Sequence, residues 1–186
     1  VRAALGLAVA LALSACIPGP DGEPAVPLFE SYRDTSVPIA SKALFEPDRY
    51  LGLWYEVARF PNVFERGCVN VTAEYGMRED GLISVLNSCG SAEDGSVSTI
   101  EGTAEIVGPG RLKVRFASVP FVAGDYWVLW VDEGYRTAVV GNPDGTTGWI
   151  LNRDPVIPQD RLIAAREILD FNGYDVSRLQ MVPQGQ

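Results

Sequence analysis

The side chains that most often do chemistry are scarce in this chain. Histidine is absent, which removes the commonest general base, the commonest metal ligand and every Ser/His/Asp or Cys/His dyad. Glu56 and Asp154 read as paired or solvated carboxylates rather than catalytic ones. Three cysteines remain, and the chemistry open to them is lipidation or disulfide formation. Charge excludes a further class. Against 15 Lys and Arg stand 24 Asp and Glu, a formal net charge of −9, so nucleic acid phosphates would be repelled. No nucleic acid partner, metal or cofactor is expected.

Cys16 closes an address. Residues 3–15 read AALGLAVALALSA, preceded by Arg2 and followed by a Pro/Gly-rich stretch, the layout of a secretory signal. The run is too short to cross a bilayer, which takes about 20 apolar residues. It ends Leu13-Ser14-Ala15-Cys16, a pattern like the bacterial lipobox, in which the cysteine sulfur is lipidated and the residue becomes the new N-terminus. The alternative is an ordinary signal with a cysteine nearby; the small residues before Cys16 and IPGPDGEPAVP after it favour lipidation. Several acyl chains, palmitate among them, anchor stably at about 0.8 kcal/mol per buried methylene. The mature chain is expected to be tethered, not spanning. Ile17 stands where Asp commonly signals inner-membrane retention, which points to the outer membrane of a Gram-negative cell.

Setting Cys16 aside leaves Cys68 and Cys89 in a chain bound for an oxidising compartment. They flank CVNVTAEYGM and LISVLNSC, with a turn signal between, and a turn near Glu79 would bring them almost opposite each other. A disulfide is expected; two buried free thiols are the alternative.

The elements that must position these residues are short. The 186 residues allow one domain with appendages, and 47% hydrophobic content suffices for a core. Residues 1–16 form the signal, 17–44 a spacer broken by Pro18, Pro20, Pro24, Pro27 and Pro38, and 45–186 the fold. Runs of β-branched and aromatic residues fall near 52–60, 68–76, 82–88, 96–107, 111–117, 125–131, 136–141 and 148–152. The turn signals between them, such as EDG, PG, VAGD and NPDG, leave no room for crossover helices, so neighbouring strands should be antiparallel. An all-β, eight-stranded up-and-down barrel is expected, with an open sandwich as the competing architecture. After Pro158, Leu162, Ala165, Ile168 and Leu169 recur at helical spacing before Gly173, predicting one C-terminal helix packed on the wall.

Three motifs resemble the lipocalin family: Gly52-Leu53-Trp54-Tyr55-Glu56, Asp132-Glu133-Gly134-Tyr135 after YWVLWV, and Trp149-Ile150-Leu151-Asn152-Arg153. The likeness runs from about Phe45 to Val182, and is nearest to bacterial outer-membrane lipocalins, plant temperature-induced lipocalins and apolipoprotein D. The second motif departs from the pattern: Val131 replaces the usual Thr, and Glu133 and Gly134 intervene before Tyr135. That weakens any expectation of receptor contacts by this loop.

The resemblance implies a ligand-holding barrel and gives residues their roles. Gly52, Trp54 and Arg153 are structural: a guanidinium stacked on an indole can close the floor, at about 0.5 to 2 kcal/mol. With Arg153 turned inward, Trp149 shares its face higher up, and Trp149 and Phe121 correspond to pocket-lining aromatics of related sequences. Alternation adds Tyr126 and Trp130 as weaker candidates, since Tyr126, Val128 and Trp130 would share one face. A packed core with no ligand space is the plain alternative. The expected ligand is a fatty acid, a lysophospholipid or a similar amphiphile, in storage, transport or repair. The rival readings are an isomerase or de-epoxidase on the same scaffold and a structural envelope lipoprotein; the missing histidine argues against catalysis.

Overall fold

In a computed structural model of the chain, residues 30–118 and 123–185 are described. Eight strands follow in order: β1 Gly52–Arg59, β2 Cys68–Met77, β3 Ile83–Ser91, β4 Val97–Gly108, β5 Arg111–Phe116, β6 Gly124–Val131, β7 Thr137–Gly141 and β8 Gly148–Asn152. Each pairs antiparallel with the next, and β1 pairs with both β2 and β8, so the ring closes and the sandwich is excluded. A short helix α1, Pro47–Tyr50, precedes β1, and a two-residue strand β9, Gln180–Met181, adds to it late; neither is signalled by periodicity.

Alternation sorts apolar side chains into two clusters. Inside lie Trp54, Tyr75, Val85, Leu112, Ala138 and Leu151. Outside, Val57, Phe60, Val139 and Ile150 pack under helix α2, Gln159–Phe171, whose Ala165 and Leu169 are fully buried. The helix stops at Gly173, φ 86°, where the Tyr174 N–H donates to Leu169 O at 3.0 Å. Strand β7 is buried along its whole length because it has the interior on one face and α2 on the other.

Two bulges break the alternation. In β6 the register shifts between Val128 and Trp130, so Leu129 and Trp130 both join the outer cluster and Val131 turns inward. The row expected through Tyr126, Val128 and Trp130 therefore ends at Val128, and Trp130 packs outside the barrel rather than lining it. In β1 a shift between Glu56 and Ala58 sends Val57 and Ala58 outward and returns Arg59 to the side of Glu56, at 3.0 Å.

The expected spacer over 17–44 needs correction in its second half. Residues 17–29 lie outside the described residues, but 30–44 run along the wall from one end of the barrel to the other. The Tyr32 N–H donates to Gly145 O at 2.8 Å, Arg33 Nε to Asn172 O at 2.7 Å, and the Lys42 N–H to Val128 O at 2.8 Å. Tyr32 is buried and stacks on Phe60. Gly145 takes a φ of 71°, and a Cβ there would run into the Cβ of Arg33. Proline content hides this docking, since much of it is made by backbone groups that carry no side-chain signal, with Tyr32 and Arg33 adding to them.

The C-terminal residues complete the wall. The direct β1–β2 pairing covers Gly52 to Tyr55. Beyond it the strands part and residues 180–185 fill the gap: the Val182 N–H donates to Val57 O at 3.0 Å, and Gln184 Nε2 bridges Glu56 O at 2.7 Å and Val71 O at 3.0 Å.

Candidate ligand site and its closed floor

The floor is built at the start of β1. Gly52 has φ 90°, which only glycine adopts without strain, and this turns the chain from α1 into the strand. Trp54 is fully buried, and its Nε1 donates to Tyr50 O at 2.7 Å. The Arg153 guanidinium lies 3.8 Å from the Trp54 ring centroid. Its nitrogens reach Leu53 O at 2.6 Å, Leu51 O at 2.8 Å, Arg49 O at 3.0 Å and Tyr135 O at 3.3 Å. One side chain thus gathers carbonyls from α1, β1 and the β6–β7 connection, which lysine, with a compact point charge, would not do.

Above the floor an aromatic run climbs the interior. Tyr126 hydroxyl lies 2.7 Å from that of Tyr50 and 2.9 Å from that of Tyr75, and its ring lies 6.3 Å from that of Trp149. Burial pushes all three phenols up, so they stay neutral donors. Trp149, Tyr126, Val114 and Phe116 face inward yet are only partly buried, whereas Ala138 and Val140, also inward, are sealed. A side chain inside a closed ring stays accessible only where the ring is not filled. The interior is therefore unevenly filled, sealed around Trp54 and against β7 and accessible beside Trp149, Tyr126, Val114 and Phe116.

An acidic pole stands in that upper half. Glu56, 4% exposed, pairs with Arg59 at 3.0 Å, and Arg59 Nη2 also donates to Glu65 O and Cys68 O, both at 2.9 Å. Glu65 reaches in from the β1–β2 connection, where its Oε2 accepts from Trp149 Nε1 at 3.0 Å and from Asn62 Nδ2. Burial first, then the neighbouring Glu65 carboxyl, pushes the Glu56 carboxyl well above the usual carboxylate range.

Of the residues singled out in sequence, the structure brings together Trp149 and Tyr126 inside and Trp54 and Arg153 beneath them. It places Trp130 outside; Phe121 and Cys16 lie outside the described residues. The sequence assigns no role to Glu65, Tyr50, Tyr75 or Phe116, which the fold brings to the interior. Two-residue steps from Trp54 reach Glu56, but only the fold shows that the FERGC loop carries Glu65 back to Trp149. Cys68 and Cys89 form a disulfide, Cα–Cα 5.2 Å. They are not cross-strand partners: the register shifts between Val69 and Thr72, at Asn70 with φ 51°, and sets Cys68 opposite Ser91.

A closed meander with a sealed floor and an accessible aromatic upper half is a one-ended container barrel. A family profile described as a lipocalin-like domain matches residues 45–184, and the chain belongs to the lipocalin family. The outer membrane lipoprotein Blc of Escherichia coli K12 is 41% identical over 143 residues, 75% of this chain and 80% of its own. Temperature-induced lipocalin-1 of Arabidopsis thaliana is 38% identical over 147 residues, covering 74% and 78%. Apolipoprotein D of Macaca fascicularis is 31% identical over 160 residues, covering 81% and 82%. Among solved structures, insecticyanin of the tobacco hornworm Manduca sexta superposes with a TM-score of 0.65 at 21% identity, over 84% of this chain and 88% of its own, a likeness of fold alone.

Proposed function

We propose that the barrel binds one apolar or amphiphilic molecule, a fatty acid, a lysophospholipid or similar, and serves storage, transport or repair of membrane lipid without catalysing a reaction. The carrying observation is the partial exposure of Trp149, Tyr126, Val114 and Phe116 on the inner face of a closed ring. Trp149 and Tyr126 are the ligand contacts, with Phe121 added by its correspondence to pocket aromatics in related sequences. Glu56 is buried and paired with Arg59, which supports a structural part for it. Cys16 carries the lipid that tethers the chain to the outer membrane, a reading supported by the names of the bacterial relatives.

The test is saturable binding of a fluorescent fatty acid and a fluorescent lysophospholipid to delipidated full chain. One molecule per barrel is expected, with Trp149→Ala weakening binding about tenfold or more, as loss of a large apolar contact implies. No binding, together with no lipid seen by native mass spectrometry of protein taken from its membrane, would end this reading.

A further inference from the structure

Three phenol hydroxyls meet just above the floor. The Tyr126 oxygen lies 2.7 Å from that of Tyr50 and 2.9 Å from that of Tyr75, and the Tyr50 ring centroid is 4.9 Å from that of Trp54. Three neutral hydroxyls carry three protons, and two contacts use two of them. Whichever way the chain of bonds runs, one O–H is left over, because among the described residues these two contacts are the only hydrogen bonds the three hydroxyls make.

An acceptor without a donor stands on the neighbouring strand. Ala73, a member of the inner cluster, pairs with Trp54 on one side and with Asn87 on the other, so Asn87 faces the interior in the row of the floor indole. It is the diagonal neighbour of Tyr75, whose own partner on β3 is Val85. Asn87 Oδ1 is buried and, among the described residues, has no hydrogen-bond partner. Buried polar atoms are as a rule paired, so an orphaned acceptor close to a surplus donor marks a place where a third group belongs. That group must accept one hydrogen bond and donate one. A carboxylate or a ketone only accepts and an ammonium only donates; a hydroxyl does both.

We propose that the deep end of the interior recognises a hydroxyl group, and that the preferred ligand is a single-chain amphiphile hydroxylated near the tip of its chain. The inference rests on the container reading and narrows its ligand. The tip is specified because these groups stand over the floor, whereas a charged headgroup stays nearest water. Water can play the same part, so an unsubstituted chain that reaches the floor must expel it and leave both atoms unpaired. A hydroxylated chain replaces what it expels.

The test is displacement of a fluorescent fatty acid from the delipidated full chain by hexadecanoic acid and by its derivatives bearing a hydroxyl or a ketone on the carbon next to the terminal methyl. The hydroxy acid should bind about tenfold or more tighter than the parent, as an unpaired buried donor and acceptor imply, with the keto acid between them. Asn87→Leu should narrow the gap between hydroxy acid and parent several-fold, and adding Tyr50→Phe, Tyr75→Phe and Tyr126→Phe should close it. A hydroxy acid no tighter than the parent, or a gap unchanged in Asn87→Leu, overturns the inference and leaves the container standing. A keto acid tighter than the hydroxy acid overturns the choice of a hydroxyl. Binding of neither the fluorescent probe nor any of the three acids sinks the container reading, and this inference with it.

Discussion

The two halves of the barrel interior satisfy their polar groups in opposite ways. At the floor the Arg153 guanidinium faces neutral carbonyls, and the indole above it has its own acceptor. In the upper half Glu56 pairs with Arg59, and burial and the neighbouring Glu65 push its carboxyl up, beside aromatic side chains that remain partly accessible. The floor holds its cation with backbone acceptors; the upper half sets a buried carboxyl and its arginine beside aromatic side chains that are not fully covered.

The contrast is broken most directly at the floor. Trp54→Ala should cost about 3 to 5 kcal/mol in denaturant unfolding, the range for a large buried ring. A loss below about 1 kcal/mol would show that the floor does not hold the fold. Replacing both Cys68 and Cys89 by Ser should cost about 2 to 4 kcal/mol, and reductant should lower the stability of the native chain to match while leaving the double variant unchanged. Arg153→Lys should cost about 2 kcal/mol, because an ammonium cannot serve four carbonyls and an indole face together. Trp149→Phe should move unfolding by less than about 1 kcal/mol yet weaken ligand binding several-fold, as the ring remains but its bond to Glu65 is lost. Equal effects on both would erase the distinction between halves.

The smallest effect is a slope. The folded Glu56 carboxyl is raised above its unfolded value of about 4.5, so the folded chain keeps a proton that the unfolded chain has released. Its contribution is full below that value and is lost as pH rises through the folded one. Wild type should therefore lose melting temperature as pH rises above about 4.5, and Glu56→Gln should flatten that decline. An unchanged slope in Glu56→Gln would mean that another group carries it.

Strands and helix were legible because the turn residues between runs are local signals, and alternation within each run has a single reading while the strand stays regular. Trp54 and Arg153 could be paired from motifs alone, although they are far apart in the chain. Trp130 could not be placed, since a bulge changes the inward face without a fixed residue type. The docking of Tyr32 and Arg33 was hidden by proline content, and Glu65 by lying in a connection whose path only the closed ring defines. Local chemistry was readable; contacts made across the ring were not.

Gln184 reaches the backbone of Glu56 across 128 positions of sequence. The seam between the first two strands is thus a stave fitted last, after every hairpin has had time to form. During synthesis the upper part of this seam stays unfilled until these residues emerge, so its completion is timed by the tail of the domain rather than by its beginning.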